Sequence, residues 1–172
     1  MHESNITLVF YRSNSLISRL IRAFTYSKTS HVAISFERFN TNLLYQGTVR
    51  GVVFDVRNDY EKSTNNKVIA EYKINVPVSK GMSYVINKLN TKYDFIGAAG
   101  VGIIKIIKRW FGKKIKNPFA SSKAMICSEL VTELNHYGEI KGLDGLDPER
   151  ASPGDILDIC ERNLYNEFER IK

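Results

Sequence analysis

Two short motifs constrain this chain more than anything else in it: Ser30-His31-Val32-Ala33-Ile34 early, and Ile126-Cys127-Ser128-Glu129-Leu130-Val131 late. The first alternates like a strand. Val32, Ile34 and Phe36 make one face, and His31, Ala33 and Ser35 make the other. The second opens a helical stripe of Cys127, Leu130, Val131 and Leu134. A histidine on a strand and a cysteine in the first turn or two of a helix are the two parts of a thiolate nucleophile and its base. The helix macrodipole there favours the thiolate. A cysteine on such a stripe is also a common small core residue, so the motif needs its partner to carry chemistry.

The partner follows from elimination. The chain has three histidines. His2 sits at a frayed terminus. His136 lies on the same predicted helix as Cys127, and at ~100° and ~1.5 Å per residue it points to the opposite side, ~13 Å along the axis. His31 remains, with only Ala33 and Ser35 beside it on its strand face, which leaves room for another element to approach. Cys160 belongs to a different stripe, Ile156, Ile159, Cys160 and Leu164, and reads as core.

A third group should orient the imidazole. Glu37 shares the strand face but lies ~20 Å away at ~3.3 Å per residue. The predicted hairpin through residues 38–42 returns antiparallel and sets Gln46 opposite His31 or close to it. Its amide oxygen can accept the Nδ1–H hydrogen bond. A glutamine in a surface hairpin is the competing reading of the same residue.

The rest of the chain reads as α+β in 172 residues, one expected domain spanning 1–172 with an apolar and basic insertion at about 96–118. Strands are expected at Ile6–Tyr11, Leu43–Gln46, Thr48–Val56 and along the alternation Val68, Ala70, Tyr72, Ile74, Val76. Ser15 caps a helix with the stripe Leu16, Ile17, Leu20, Ile21 and Phe24. Ser79 is a candidate cap for a helix carrying Met82, Val85, Ile86 and Leu89. The cysteine helix is expected from about Lys123 to Tyr137, and Ser152-Pro153 opens the last one. Asp59–Asn66 and Gly142–Ala151 read as loops.

Composition narrows the classes. Two cysteines give no disulfide framework, and the N-terminus shows no charged region followed by an apolar one, so free thiols and an intracellular, membrane-proximal setting are expected. The net charge of +7 is concentrated in IKIIKRWFGKKIK, where Lys105, Lys108, Arg109, Lys113, Lys114 and Lys116 interleave with apolar and aromatic residues. The uncharged run before it is shorter than the ~20 residues of a membrane span. The segment suits an anionic membrane surface, or a buried helix with a basic edge. No nucleic-acid motif accompanies it, so nucleic acid is not favoured, and neither a metal nor another cofactor is expected.

Five landmarks now stand in order: SLISRLIRAFTYSKTSHVAI (15–34), LLYQGTVRGVV (43–53), KYDFIG (92–97), MICSELVTE (125–133) and LDPERASPGDIL (146–157). Together they resemble the circularly permuted papain-fold hydrolases, the YiiX-like branch of the NlpC superfamily, related to the lecithin:retinol acyltransferase group and to a poxviral family. The resemblance implies an antiparallel sheet packed against the cysteine helix, with Cys127 as nucleophile and His31 as base. It assigns the third polar position to Gln46, where many members carry an acidic residue. It also suggests Tyr11 for a tyrosine that some members carry on the N-terminal strand. Tyr11 and Ser128 are accordingly candidate oxyanion or substrate contacts. The implied activity is a cysteine hydrolase, an amidase or peptidase or an acyl-ester hydrolase or acyltransferase, acting through a thioester on a peptide or lipid substrate. The alternative is an inactive module of the same fold that docks on a membrane or protein through the basic insertion.

Overall fold

In the computed structural model, residues 5–93, 124–125 and 127–172 are described. Six strands form one antiparallel sheet: β1 (Thr7–Arg12), β2 (His31–Arg38), β3 (Thr41–Thr48), β4 (Gly51–Val56), β5 (Lys67–Ile74) and β8 (Phe168–Arg170), in the order β4-β3-β2-β1-β5-β8. Two short strands, β6 (Lys92–Tyr93) and β7 (Ala124–Met125), pair in parallel just before the cysteine. Neither β8 nor this small pair was expected, because two- and three-residue strands carry too few positions to show alternation.

The alternation of β1 and β2 sorts the two faces. Leu8, Phe10, Val32 and Ile34 are fully buried on one of them. They pack against Val85 of α3 (Ser79–Ile86), Leu130, Val131 and Leu134 of α4 (Cys127–Leu134), and Ile156, Leu157 and Cys160 of α5 (Pro153–Arg162). Each large apolar side chain buried there contributes ~1.5–3 kcal/mol. The opposite face carries a smaller cluster of Val9, Tyr11, Ala33 and Leu44, with Tyr60 and Val68 packed on it.

Tyr60 belongs to α2 (Arg57–Thr64), which occupies most of the expected Asp59–Asn66 loop. The stretch has no apolar stripe, so periodicity cannot reveal the helix. Tertiary bonds hold it: Arg57 pairs with Glu61 within the helix and reaches Glu71 on β5 through both terminal nitrogens, and Asn65 ends it in the left-handed conformation. Ser79 is the first residue of α3 rather than its cap; Val78 takes that place. The cysteine helix is shorter than expected, Cys127–Leu134, since Asn135, His136 and Gly138 bond in tight turns to residues three back. A short 3₁₀ turn, Lys141–Leu143, falls partly within the expected Gly142–Ala151 loop. At α5 the Ser152 cap forms as expected: Ser152 and Asp155 make a reciprocal capping box, with Pro153 at the first position.

Two turns fix the hairpins that build the site. Phe39 and Asn40 both have positive φ (52° and 54°), the backbone of a two-residue type I′ turn, so Arg38 faces Thr41. Gly51 opens β4 at φ 102°, and a Cβ there would lie 2.5 Å from the carbonyl oxygen of Thr91. Gly51→Ala is therefore expected to cost ~1–3 kcal/mol from backbone strain, with the clash added to it. Gly145, at φ 80° with open space around it, isolates the strain alone. Urea unfolding should rank Gly51→Ala clearly below Gly145→Ala; equal midpoints would contradict the close approach.

Candidate active site

Antiparallel pairing places Tyr11 of β1 directly opposite His31 at the start of β2. On the other side the β2–β3 register runs from Arg38–Thr41 to Ile34–Tyr45, so its continuation sets Gln46 level with Ala33, one diagonal step from His31. Diagonal neighbours on one face are within reach of long side chains. His31 Nε2 and Gln46 Oε1 are 2.7 Å apart. The expected contact was through Nδ1; the structure uses Nε2, because Gln46 sits further along the strands than directly opposite the ring.

The row continues one strand further. Gln46 Nε2 donates to Asp55 Oδ2 at 2.9 Å. Gln46 pairs with Val53 and Leu44 with Asp55, so this is again a diagonal step on the same face. Asp55 Oδ1 in turn meets the guanidinium of Arg50 at 2.6 Å. With its NH₂ committed to a carboxylate, the Gln46 amide has one sensible orientation, oxygen toward the imidazole. Nε2 is then the protonated nitrogen. Asp55 was not anticipated from the sequence. Carrying the strand reflection past the turn before Gly51 would have found it, since Gln46 and Asp55 alternate onto one face.

Cys127 is the first residue of α4 and is buried. Its thiol faces His31 and the backbone N–H groups of Val32 and Ser128. With Nε2 on Gln46, Nδ1 is the ring nitrogen left for sulfur. Burial pushes the thiol up, but the charge and hydrogen bond of His31, with the two backbone donors, outweigh it and hold Cys127 below the ordinary thiol range. Burial likewise disfavours the charged imidazole, yet the Cys127 charge and the bonds to Cys127 and Gln46 hold His31 above its ordinary value. The ring keeps some surface open to solvent while both nitrogens face protein partners. A thiolate–imidazolium pair is the state these contacts favour.

The other expected residues are near but occupied. Tyr11 is fully buried with its ring 6.0 Å from that of His31, and its hydroxyl donates to Glu61 Oε1 at 2.9 Å. Burial and the Glu61 charge both hold this phenol protonated. Its one proton is spent on Glu61, so it packs against the histidine rather than offering a donor. The Ser128 hydroxyl donates to the Ala151 carbonyl at 2.8 Å, which leaves its backbone N–H as the group that faces sulfur. Tyr60 of α2 joins the site unannounced: its ring is 5.6 Å from Tyr11 and 6.3 Å from His31, and Asn66 donates to its hydroxyl. His136 lies beyond the end of α4, stacked on Tyr84 at 3.9 Å, and takes no part. The insertion at about 96–118, with Lys105, Lys108, Arg109, Lys113, Lys114 and Lys116, lies outside the described residues, as does His2.

No family model matches this sequence, and no curated protein matches it. Among solved structures the chain is similar to the metalloprotein YiiX of Escherichia coli O157:H7, described as DUF1105. The TM-score is 0.51 at 14% identity, covering 100% of this chain and 98% of that one. The α+β fold, with its six-stranded antiparallel sheet and flanking helices, is YiiX-like.

Iodoacetamide should therefore alkylate Cys127 with a rate that levels off below the ~8.5 of an ordinary thiol. His31→Ala should abolish that plateau. Asp55→Asn should move it to higher pH, because removing the carboxylate behind Gln46 weakens support for the imidazolium and so for the thiolate. Cys160, which burial pushes up, should stay silent until the protein unfolds. A Cys127 profile centred on the ordinary thiol value would rule out the ion pair.

Proposed function

We propose that this protein is a cysteine hydrolase or acyltransferase of permuted papain-like type, acting on an amide or ester through a thioester at Cys127. The observation that carries the reading is the unbroken polar row Cys127–His31–Gln46–Asp55, assembled from one helix end and three neighbouring strands.

In this reading Cys127 Sγ attacks the substrate carbonyl carbon, and the electron pair moves to the carbonyl oxygen. The first-turn N–H groups of α4, unpaired within the helix, stabilise that oxyanion. His31 Nδ1–H protonates the leaving amine or alcohol as the tetrahedral intermediate collapses to the thioester. Nδ1 then takes a proton from water, or from an acceptor alcohol or amine. That nucleophile attacks the thioester, and sulfur departs again as the thiolate. Throughout, Gln46 Oε1 holds Nε2–H and Asp55 holds Gln46.

The YiiX structure is described as a metalloprotein. Among the described residues no three His, Cys, Asp or Glu side chains cluster as a metal site would need. At the centre itself the third position is an amide, leaving one thiol and one imidazole against the three or four ligands of a zinc site. The donor set does not fit a metal, and no step is routed through one.

The competing reading, an inactive module docking through Lys105–Lys116, makes the opposite prediction for turnover. Activity should be assayed on p-nitrophenyl acyl esters and on peptide amides, with mass spectrometry for an acyl group on Cys127. Cys127→Ala should abolish turnover, and His31→Ala should lower it by ~10²–10⁴-fold. Activity needs thiolate and imidazolium together, so it rises as pH passes the Cys127 value and falls as it passes that of His31. A lowered thiol and a raised imidazole widen that window at both ends. Turnover that survives Cys127→Ala, or no acyl adduct on any substrate, would sink the proposal.

A further inference from the structure

The helix α1 (Leu16–Thr25) is amphipathic in the inverted sense. Its inward side is polar. Ser18 is buried and bonded to Ser30 Oγ at 2.6 Å and to the Ser13 carbonyl, while the Arg22 guanidinium is drawn onto Ser13 O and Ser18 Oγ at 2.7 Å each. Its outward side is apolar: Leu16 is 70% exposed, Leu20 45% and Phe24 44%, followed by Tyr26 at 61%. At ~100° per residue Leu16, Leu20, Ala23 and Phe24 form a continuous arc ~100° wide, bordered by Arg19. A soluble helix normally turns such an arc inward.

The charges along this stretch of the chain have one sign. No aspartate or glutamate occurs between Asn5 and Phe36, whereas Arg12, Arg19 and Lys28 are all exposed. A second copy of the chain seated on this face would set these cations against their own images. An anionic lipid surface meets both features, accepting the leucine and phenylalanine side chains among its acyl chains and the cations at its headgroups. Tyr26 has the half-apolar character found at that boundary. A helix of ten residues is ~15 Å long and can lie in the interface but not cross it.

We propose that α1 docks this protein on an anionic membrane surface, lying in the plane of the interface with Leu16, Leu20 and Phe24 inserted. One of the bonds that fix its inward side ends next to the candidate site: Ser18 meets Ser30, the residue before His31. The inference stands apart from the reaction proposed above and survives if that reaction fails.

The test is co-sedimentation of the full chain, carrying Cys127→Ala, with vesicles of phosphatidylcholine alone or mixed with phosphatidylglycerol. Binding is expected to the mixed vesicles only. Arg19→Gln should weaken it about fivefold and Leu20→Gln with Phe24→Gln more than tenfold. Because these side chains are exposed, circular dichroism and the unfolding midpoint should stay unchanged. A fluorophore on a cysteine placed at Leu20 should be open to a soluble quencher in free protein and shielded on vesicles. Binding indifferent to the α1 variants would overturn the proposal and transfer docking to another segment such as Lys105–Lys116. A label already shielded in free protein would show the face covered by the chain or by another copy, and absence of binding would dismiss it outright.

Discussion

Everything at the site depends on the register of β2 between its two neighbours. The strand's period is two, so slipping it by one residue against β1 or β3 would carry His31 into the apolar core and turn Val32 toward Gln46. The core forbids that slip, since Val32 and Ile34 are fully buried against α4. The type I′ turn at Phe39-Asn40 forbids it again by fixing Arg38 to Thr41. The apolar side of β2 is in this sense what aims the histidine.

The same register explains how a glutamine serves where a carboxylate would be the stronger partner. An amide accepts the Nε2–H bond but adds no charge to balance an imidazolium. Here its other end is held by Asp55, so the carboxylate acts one bond removed, polarising and orienting the amide rather than pairing with the ring. The principal counter-charge of His31 is then the thiolate itself. Each member of the pair has its charged form sustained mainly by the other, which is why burial does not neutralise both.

Much of this was legible in the sequence wherever a long alternation or stripe existed. The pairing of His31 with Gln46 followed from hairpin symmetry, and the Ser152 cap from its neighbours. What was hidden has a common physical cause: contacts formed between elements rather than along them. Arg57–Thr64 is a helix because Arg57 finds Glu71 on a strand and Tyr60 covers Tyr11, neither of which local periodicity can report. Asp55 was missed because its meaning requires a second hairpin reflection. The engagement of Tyr11 by Glu61 and of Ser128 by Ala151 likewise depends on which proton acceptor the fold delivers. The α1 stripe was visible in the sequence, but the direction it faces was not; a stripe gives amphipathicity, and only packing gives the side that is buried.

The two cysteines show what separates one buried thiol from another. Both Cys127 and Cys160 lie on apolar stripes, and both are buried. Burial raises both, yet they end on opposite sides of the ordinary thiol value. Cys160 stands in the third turn of α5, where the charge of Glu161 adds to burial in opposing ionisation. Cys127 stands at the first position of α4, where backbone N–H groups point outward and Val32, Ser128 and His31 all donate toward sulfur. Residue type and burial are shared, so neither distinguishes them. The difference lies in the helix terminus and in the strand that brings a proton acceptor to it.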